Sequence, residues 1–82
     1  MPLPVITADR WLLQLFSARA VAEGGVVRRR IRDVDRMVGE ARFLAELQRR
    51  GFRVARNAGQ YVIFCNREPV ELLDLDGETQ IP

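Results

Sequence analysis

The sequence contains no lysine, no histidine, one cysteine and only three serine or threonine residues among its 82 residues. Without histidine, the thiol of Cys65 has no imidazole to activate it as a nucleophile. One cysteine cannot form an internal disulfide, nor can it supply the several Cys or His ligands of an ordinary zinc site. These absences predict a protein that is not an enzyme, with no cofactor, no metal site and no small-molecule substrate.

Long apolar runs are also missing. No run reaches the length of a membrane span, and the first residues lack the basic start and apolar stretch of a signal peptide. We therefore expect no membrane partner and, with so little cysteine, a cytoplasmic location. Apolar residues nevertheless make up 48% of the chain. This surplus favours burial of some surface against a partner, such as a second copy in a homodimer.

Charge divides the chain into two parts. All 13 basic residues are arginine, and residues 1–66 hold twelve of them against six acids, a net charge of +6. Residues 67–82 hold one arginine against five acids, a net charge of −4. We predict a single compact domain over residues 1–66, followed by an acidic, partly ordered C-terminal tail over residues 67–82.

Helices are predicted in the first two thirds of the chain. An apolar helix begins after Thr7, a suitable N-cap, and runs to residue 23, with Ser17 as a point that could divide it. Residues 26–38 suit either one helical face or a short strand (26–31) followed by a short helix (34–38), and we prefer the second interpretation. A central amphipathic helix, EARFLAELQRR, ends at Gly51 in a glycine cap.

A β-hairpin is predicted over residues 52–65. A three-residue loop ending at Gly59, which takes the positive φ, places Val54 opposite Val62. Residues 61–65 are apolar on both faces, which is typical of an interior strand. The predicted fold class is α+β, with an N-terminal apolar helix, a central amphipathic helix and a small, mainly antiparallel sheet.

Two arginine clusters are the strongest functional signal. The first consists of Arg28, Arg29, Arg30 and Arg32, and the second of Arg49, Arg50, Arg53 and Arg56. A guanidinium is a planar, forked donor that suits phosphate or carboxylate. We hypothesise a small non-enzymatic binding module with an arginine-rich face for nucleic acid or an acidic protein. The competing interpretation is that these are solvated faces, neutralised by nearby acids.

A second hypothesis concerns protein–protein assembly. The first helix spreads apolar side chains around more than one stripe, which indicates either deep burial or an interface. The interface would consist of Trp11, Leu12, Leu15 and Phe16. The acidic tail offers another surface for a protein partner.

The order helix, strand, helix, glycine turn, helix, hairpin resembles a winged helix-turn-helix. RDVDRMVG corresponds to its second helix, EARFLAELQRRG to its third and FRVARNAGQYVIF to its wing. The resemblance implies that Arg42 and Arg49 face the major groove, while Arg53 and Arg56 meet the phosphate backbone. Two departures are a third helix and turn shorter than usual and the lack of a Ser or Thr cap before that helix.

A second resemblance is carried by GGVVRR, IRDVDRMVG and RRGFRVARNAGQYVIFCN. These segments look like a family of short, uncharacterised bacterial proteins, some of which are labelled phosphoribosylanthranilate isomerase. The resemblance implies no functional residues. That isomerase resembles a (β/α)₈ barrel, which needs at least about 200 residues, so the label is not adopted for this chain.

Overall fold

A computed structural model of the chain describes residues 7–75. In chain order, its elements are α1 (Ala8–Phe16), α2 (Arg19–Ala22), β1 (Val26–Arg30), α3 (Ile31–Met37), α4 (Glu40–Arg50), β2 (Arg53–Asn57) and β3 (Gln60–Phe64). The three strands form an antiparallel sheet in the order β1-β3-β2. The predicted α+β class is confirmed, and residues 76–82 of the predicted tail lie outside the described residues.

The first predicted helix is divided into two. The backbone N–H of Arg10 donates to Oγ1 of Thr7 at 3.1 Å, which confirms the predicted N-cap. After α1, the Ser17 hydroxyl donates to the carbonyl of Gln14 at 3.0 Å, and Ala18 takes an extended conformation. A serine that bonds a local carbonyl competes with the helix, which accounts for the break. No helix within residues 7–75 is long and apolar enough to cross a membrane.

Strand β1 leads directly into α3, which confirms the preferred interpretation of residues 26–38. The helix begins at Ile31, three residues earlier than predicted, and Asp33 lies within its first turn. The backbone N–H of Ile31 donates to the carbonyl of Gly59 at 2.9 Å, so the end of β1 stays bonded to the hairpin turn. The strand therefore extends to the first residue of the helix, with no loop between them.

Helix α4 ends as its sequence predicts. Gly51 takes a φ of +78°, the left-handed conformation that glycine adopts without a side-chain clash. The N–H of Phe52 donates to the Leu47 carbonyl at 3.0 Å, and the N–H of Gly51 donates to the Gln48 carbonyl at 3.0 Å. These two bonds form a Schellman motif, which directs the chain into β2.

The hairpin register differs from the prediction by one residue. Asn57 pairs with Gln60, so the loop has two residues, Ala58 and Gly59, and Val54 opposes Ile63 instead of Val62. Both loop residues have positive φ, +52° at Ala58 and +75° at Gly59. This is the type I′ turn, whose twist matches that of the strands it joins. The three-residue loop was wrong because the tighter turn is formed even with alanine in the left-handed region.

A one-residue change of register exchanges the two faces of a strand. The helices pack on the inner face, where Ile63 and Tyr61 of the central strand β3 join the core. The remaining buried core residues are Leu12, Leu15, Val27, Val34, Phe43, Leu47 and Cys65. Val62 faces the opposite side of the sheet and has no place in that cluster. The prediction of an interior strand at residues 61–65 is confirmed, since β3 pairs with both neighbours.

Substitution of Ala58 by asparagine is expected to stabilise the protein. Asparagine adopts the left-handed conformation more readily than alanine, so Ala58→Asn raises the free energy of unfolding by about 0.5–1 kcal/mol. Urea unfolding measures the change. The reverse test is Gly59→Ala, which is expected to destabilise, although an added Cβ meets no atom within 4 Å. An unchanged stability in both variants would contradict the positive φ of this turn.

Candidate nucleic-acid interface

The side of the sheet away from the helices, here called the outer face, is not covered by any helix of residues 7–75. The ladder register aligns Arg28 with Val62, Arg30 with Gln60 and Arg53 with Phe64. Because side chains alternate between faces along a strand, these three guanidiniums project to the same side. The outer face consists of Val26, Arg28, Arg30, Arg53, Ala55, Asn57, Gln60, Val62 and Phe64.

The middle of the outer face is apolar. Val62 is only 8% exposed, although no helix packs on it. Its cross-strand neighbours are Arg28 and Ala55, and the aliphatic stem of an arginine covers apolar surface while its charged end stays in water. Arg28 also donates to Oε1 of Gln60 at 3.4 Å. The result is a flat apolar centre with guanidinium and amide groups around it.

The arginines of the outer face are not paired with acids in the part of the chain that the structure describes. Within residues 7–75, Arg28, Arg30 and Arg53 form no ion pair, and none of the outer-face residues is Asp or Glu. Arg29 belongs to the other side of the sheet, where it lines a small cavity with Trp11 and Gln14. Its guanidinium donates to the carbonyl of Arg28 at 2.7 Å. The outer face is therefore purely cationic within the described part of the chain.

The arginines of α4 are in a different situation. Arg42 pairs with Asp9 of α1, and Arg49 and Arg50 both pair with Glu46. These acids neutralise the two side chains, Arg42 and Arg49, that the winged-helix resemblance places in a DNA groove. Exposed ion pairs contribute only about 0–1 kcal/mol each to stability. Their main effect here is to lower the positive electrostatic potential around α4.

Glu46 holds two arginines at the end of α4. Hydrogen bonds from Arg49 and then Arg50 lower the pKa of this carboxyl below its ordinary value. The guanidinium of Arg50 also lies 3.9 Å from the centre of the Phe16 ring, a cation–π contact. Arg50 therefore packs between Glu46 and α1, which makes it a structural side chain as well as a charge.

Arg56 is directed to the inner side of the sheet. It pairs with Glu40, the first residue of α4, and its guanidinium lies 5.7 Å from the centre of the Tyr61 ring. The Tyr61 hydroxyl donates to the same Glu40 carboxylate at 2.7 Å. Of the four predicted arginines in the second cluster, only Arg53 reaches the outer face.

The predicted protein interface on α1 is mostly interior. Leu12 and Leu15 are buried in the core, so they are not accessible to a partner, which corrects their assignment to a surface. Trp11 and Phe16 are half-buried against the core, and the Phe16 ring lies 6.2 Å from that of Phe52. The large apolar side chain that α1 does expose is Leu13, which is 67% exposed.

Cys65 lies in the core, as the sequence predicts, directly after β3. Burial raises the pKa of its thiol, so the sulfur stays protonated and is a poor nucleophile. Its Sγ lies 3.8 Å from the Ile63 carbonyl. Within residues 7–75, no three Cys, Asp or Glu side chains cluster closely enough to hold a metal ion.

The described part of the acidic tail does not cover the arginines. Glu68, Glu71 and Asp74 form no ion pair with any arginine of residues 7–75. Residues 66–75 form neither helix nor strand. Of this part of the tail, Pro69 and Val70 lie beside Arg53, with which they line a cavity.

Sequence reasoning missed the neutral members of the outer face. Asn57 and Gln60 were assigned no role, and Val62 was placed on the same face as Val54, whereas Val54 pairs with Ile63. The error follows from the register. A three-residue loop shifts the pairing by one residue, so it places the wrong set of β3 side chains on the same face as a given β2 side chain. The Ala58-Gly59 pair between Asn57 and Gln60 was the available signal, because two-residue loops are the commonest hairpin connections.

A scan against family models, a search of curated proteins and a search of solved structures find no match to this chain. The resemblances to a winged helix-turn-helix and to the short bacterial family therefore stay predictions. The function is therefore inferred from the geometry of the chain itself.

Removal of the Glu46 carboxylate is expected to destabilise the protein only where that group is ionised. Because the pKa of Glu46 is lowered in the folded protein, its ionised carboxylate stabilises the fold at pH values above the ordinary carboxyl pKa. This contribution is lost as the pH falls through the folded-state pKa. Glu46→Gln is expected to lower the free energy of unfolding by about 0.5–1 kcal/mol at pH 7. The difference should disappear as the pH falls from about 5 to about 2.

Thermal unfolding across this pH range measures the effect. Glu23→Gln is the matched control, because Glu23 forms an i,i+4 pair with Arg19 in which both side chains are largely exposed. A smaller loss is expected for the control. A loss of stability in Glu46→Gln that is equally large at neutral and acidic pH would contradict an ionic role for the carboxylate.

Proposed function

We propose that this protein is a non-enzymatic nucleic-acid-binding module that contacts the phosphate backbone through the outer face of its sheet. The observation that carries the proposal is the convergence of Arg28, Arg30 and Arg53 on one face without a carboxylate among its members. These residues come from both arginine clusters of the sequence. A shared face is what a binding function requires, whereas unrelated solvated arginines have no reason to converge.

Phosphate is the ligand group that this chemistry suits best. Each guanidinium can donate two parallel hydrogen bonds to a phosphate, and no ion pair among residues 7–75 occupies the three outer-face guanidiniums. The side-chain amides of Asn57 and Gln60 add neutral donors at the same end of the face as Arg30. Contacts of this kind position a backbone and carry no sequence information, so we expect weak sequence preference.

The shape of the outer face favours single strands over duplex. A three-stranded surface is broader than the helix or two-stranded ribbon that the major groove admits, and it can support an extended strand along its length. Arg28 and Arg30 alternate on β1, which separates their Cα atoms by about 6.7 Å. Phe64 gives a half-buried aromatic edge beside the apolar centre. Three phosphate contacts are a small site, so we expect micromolar affinity and strong salt dependence.

The winged-helix hypothesis makes a different prediction from the same fold. The chain order and the sheet order β1-β3-β2 support such an arrangement, with α3 and α4 as the helix pair and β2–β3 as the wing. The exposed residues of α4, however, include the uncharged Ala41, Ala45 and Gln48 together with Arg42 and Arg49. Since the neighbouring α4 arginines are paired with acids, the geometry favours the sheet over α4 as the cationic surface.

The second candidate function is protein assembly, and a separate observation favours it. Three leucines of the tail, Leu72, Leu73 and Leu75, are largely exposed within the described residues. Large apolar side chains exposed together indicate an interaction site. The tail lies beside Arg53 at the start of β2, so assembly through the tail would compete with nucleic acid for that residue.

A matched pair of triple variants tests the proposal. The sheet variant combines Arg28→Gln, Arg30→Gln and Arg53→Gln, and the helix variant combines Arg19→Gln, Arg42→Gln and Arg49→Gln. Both remove three positive charges but from different surfaces, and the helix variant also breaks three ion pairs. Fluorescence anisotropy with labelled single-stranded and duplex oligonucleotides, at about 50 and 200 mM salt, measures affinity and its salt dependence.

The sheet variant is expected to bind the single strand at least tenfold more weakly than the unaltered protein. The slope of the logarithm of its affinity against the logarithm of salt concentration should be shallower by about 2, because each of the three lost phosphate contacts accounts for about 0.7 with a single strand. The helix variant should lose less than about threefold, the effect of net charge alone. A larger loss in the helix variant would instead assign binding to α4, and no binding at low salt would disprove the proposal.

A further inference from the structure

The outer edge of β2 is open. Within residues 7–75, β2 pairs only with β3, and residues 53–57 form no backbone hydrogen bonds outside that ladder. Each edge strand also contacts helices, β1 with α2 and α3, and β2 with α4. On β1, the guanidinium of Arg29 donates a hydrogen bond to the carbonyl of Arg28. An edge strand with unpaired N–H and C=O groups is a template for another strand.

A complementary segment exists in the same chain. Residues 70–75, here called the acidic leucine segment, have the sequence VELLDL. Leu72, Leu73 and Leu75 are 90%, 73% and 96% exposed, so the structure leaves them unburied. Glu71 and Asp74 flank the central leucines and form no ion pair within the described residues. The segment has six residues, one more than the five residues of β2.

We propose that the acidic leucine segment of a second copy adds to the open edge of β2 as an antiparallel strand, and that the exchange is reciprocal in a homodimer. The pattern of β2 is Arg53, two apolar residues and Arg56, whereas that of the segment is Glu71, two leucines and Asp74. Antiparallel pairing then places Asp74 beside Arg53, which forms no ion pair within residues 7–75, and Glu71 beside Arg56, which already pairs with Glu40. Opposite charges that face each other across strands stabilise a sheet, and like charges destabilise it.

The apolar positions match in the same register. Leu73 falls beside Val54, which faces inward, and Leu72 falls beside Ala55, which faces outward. A cavity of about 300 Å³ lies on the inner side of this edge, lined by Leu44, Val54, Ala55, Arg56 and Tyr61. The side chain of Leu73 enters this cavity from the added strand. A shift of one residue would place Glu71 or Asp74 beside an apolar residue, so the register is specific.

A second copy is the better source of the segment than the chain itself. In the described chain, Val70 lies beside the start of β2, where it lines a cavity with Phe52 and Arg53. From that end, the segment of the same chain can pair with β2 only in parallel. Antiparallel pairing is the more stable arrangement, and it is accessible to the segment of another copy. Direct pairing of two β2 edges is disfavoured because it brings their arginines together.

Sedimentation equilibrium of the full chain provides the first test. The unaltered protein is expected to dimerise, and Leu73→Glu is expected to raise the dimer dissociation constant by roughly tenfold or more for each of the two tails. Leu13→Glu is the matched control, because Leu13 is 67% exposed and lies on α1. This control should leave the dissociation constant unchanged. A monomeric protein, or a Leu73→Glu variant that dimerises normally, would overturn the proposal.

A disulfide test identifies the source of the segment. Ala55→Cys and Leu72→Cys place two thiols opposite each other, and strands of a sheet lie about 5 Å apart, within the range of a disulfide. Mixing the two single variants with oxidised glutathione should give a covalent dimer that contains one chain of each. Cys65 is buried and does not compete. A chain carrying both substitutions that closes only an internal disulfide would assign the edge to its own tail and overturn the proposal.

Discussion

The packing of Tyr61 between the sheet and α4 is the contact on which the other parts of this structure depend. Its ring lies 5.0 Å from that of Phe43, and its hydroxyl donates to Glu40. Tyr61 belongs to the central strand, so its position determines which residues of β3 face the helices. Since β1 and β2 both pair with β3, the same contact determines the facing of every other strand residue. The inner core and the outer cationic face are thus two consequences of one arrangement.

The distribution of acids determines where positive charge remains available. Asp9, Glu40 and Glu46 all lie on helices, and each pairs with an arginine of α4 or of the inner side of the sheet. The outer face has no such partner within the described residues. A chain with a net charge of only +2 can therefore present a local surface that is entirely positive. The placement of charge matters more for the proposed function than its total amount.

Local signals in the sequence were sufficient for the helices and for the element order. The glycine cap of α4, the Thr7 cap and the strand–helix alternation of residues 26–38 each depend on neighbouring residues. The register of the hairpin was not predictable in the same way. Alanine rarely takes a positive φ, so a loop in which only Gly59 does so was the natural expectation. The φ of +52° at Ala58 arises because the strands on either side impose a tight turn.

The candidate site was predictable only in part, for a related reason. Both arginine clusters were visible in the sequence, but their division into free and paired members depends on contacts between distant residues. Arg42 is 33 residues from Asp9, and Arg56 is 16 residues from Glu40. No local pattern indicates such pairs. Strand alternation separates Arg53 from Arg56, and that separation follows from the register that the sequence left undetermined.

The hydrogen bond from Ile31 to Gly59 has a consequence for protein engineering. The tip of a β-hairpin is usually a tolerant site for an inserted tag or for new chain ends, because it has few ties to the rest of a molecule. In this protein the tip is bonded to the first residue of α3, so an insertion there would disturb a helix as well as a turn.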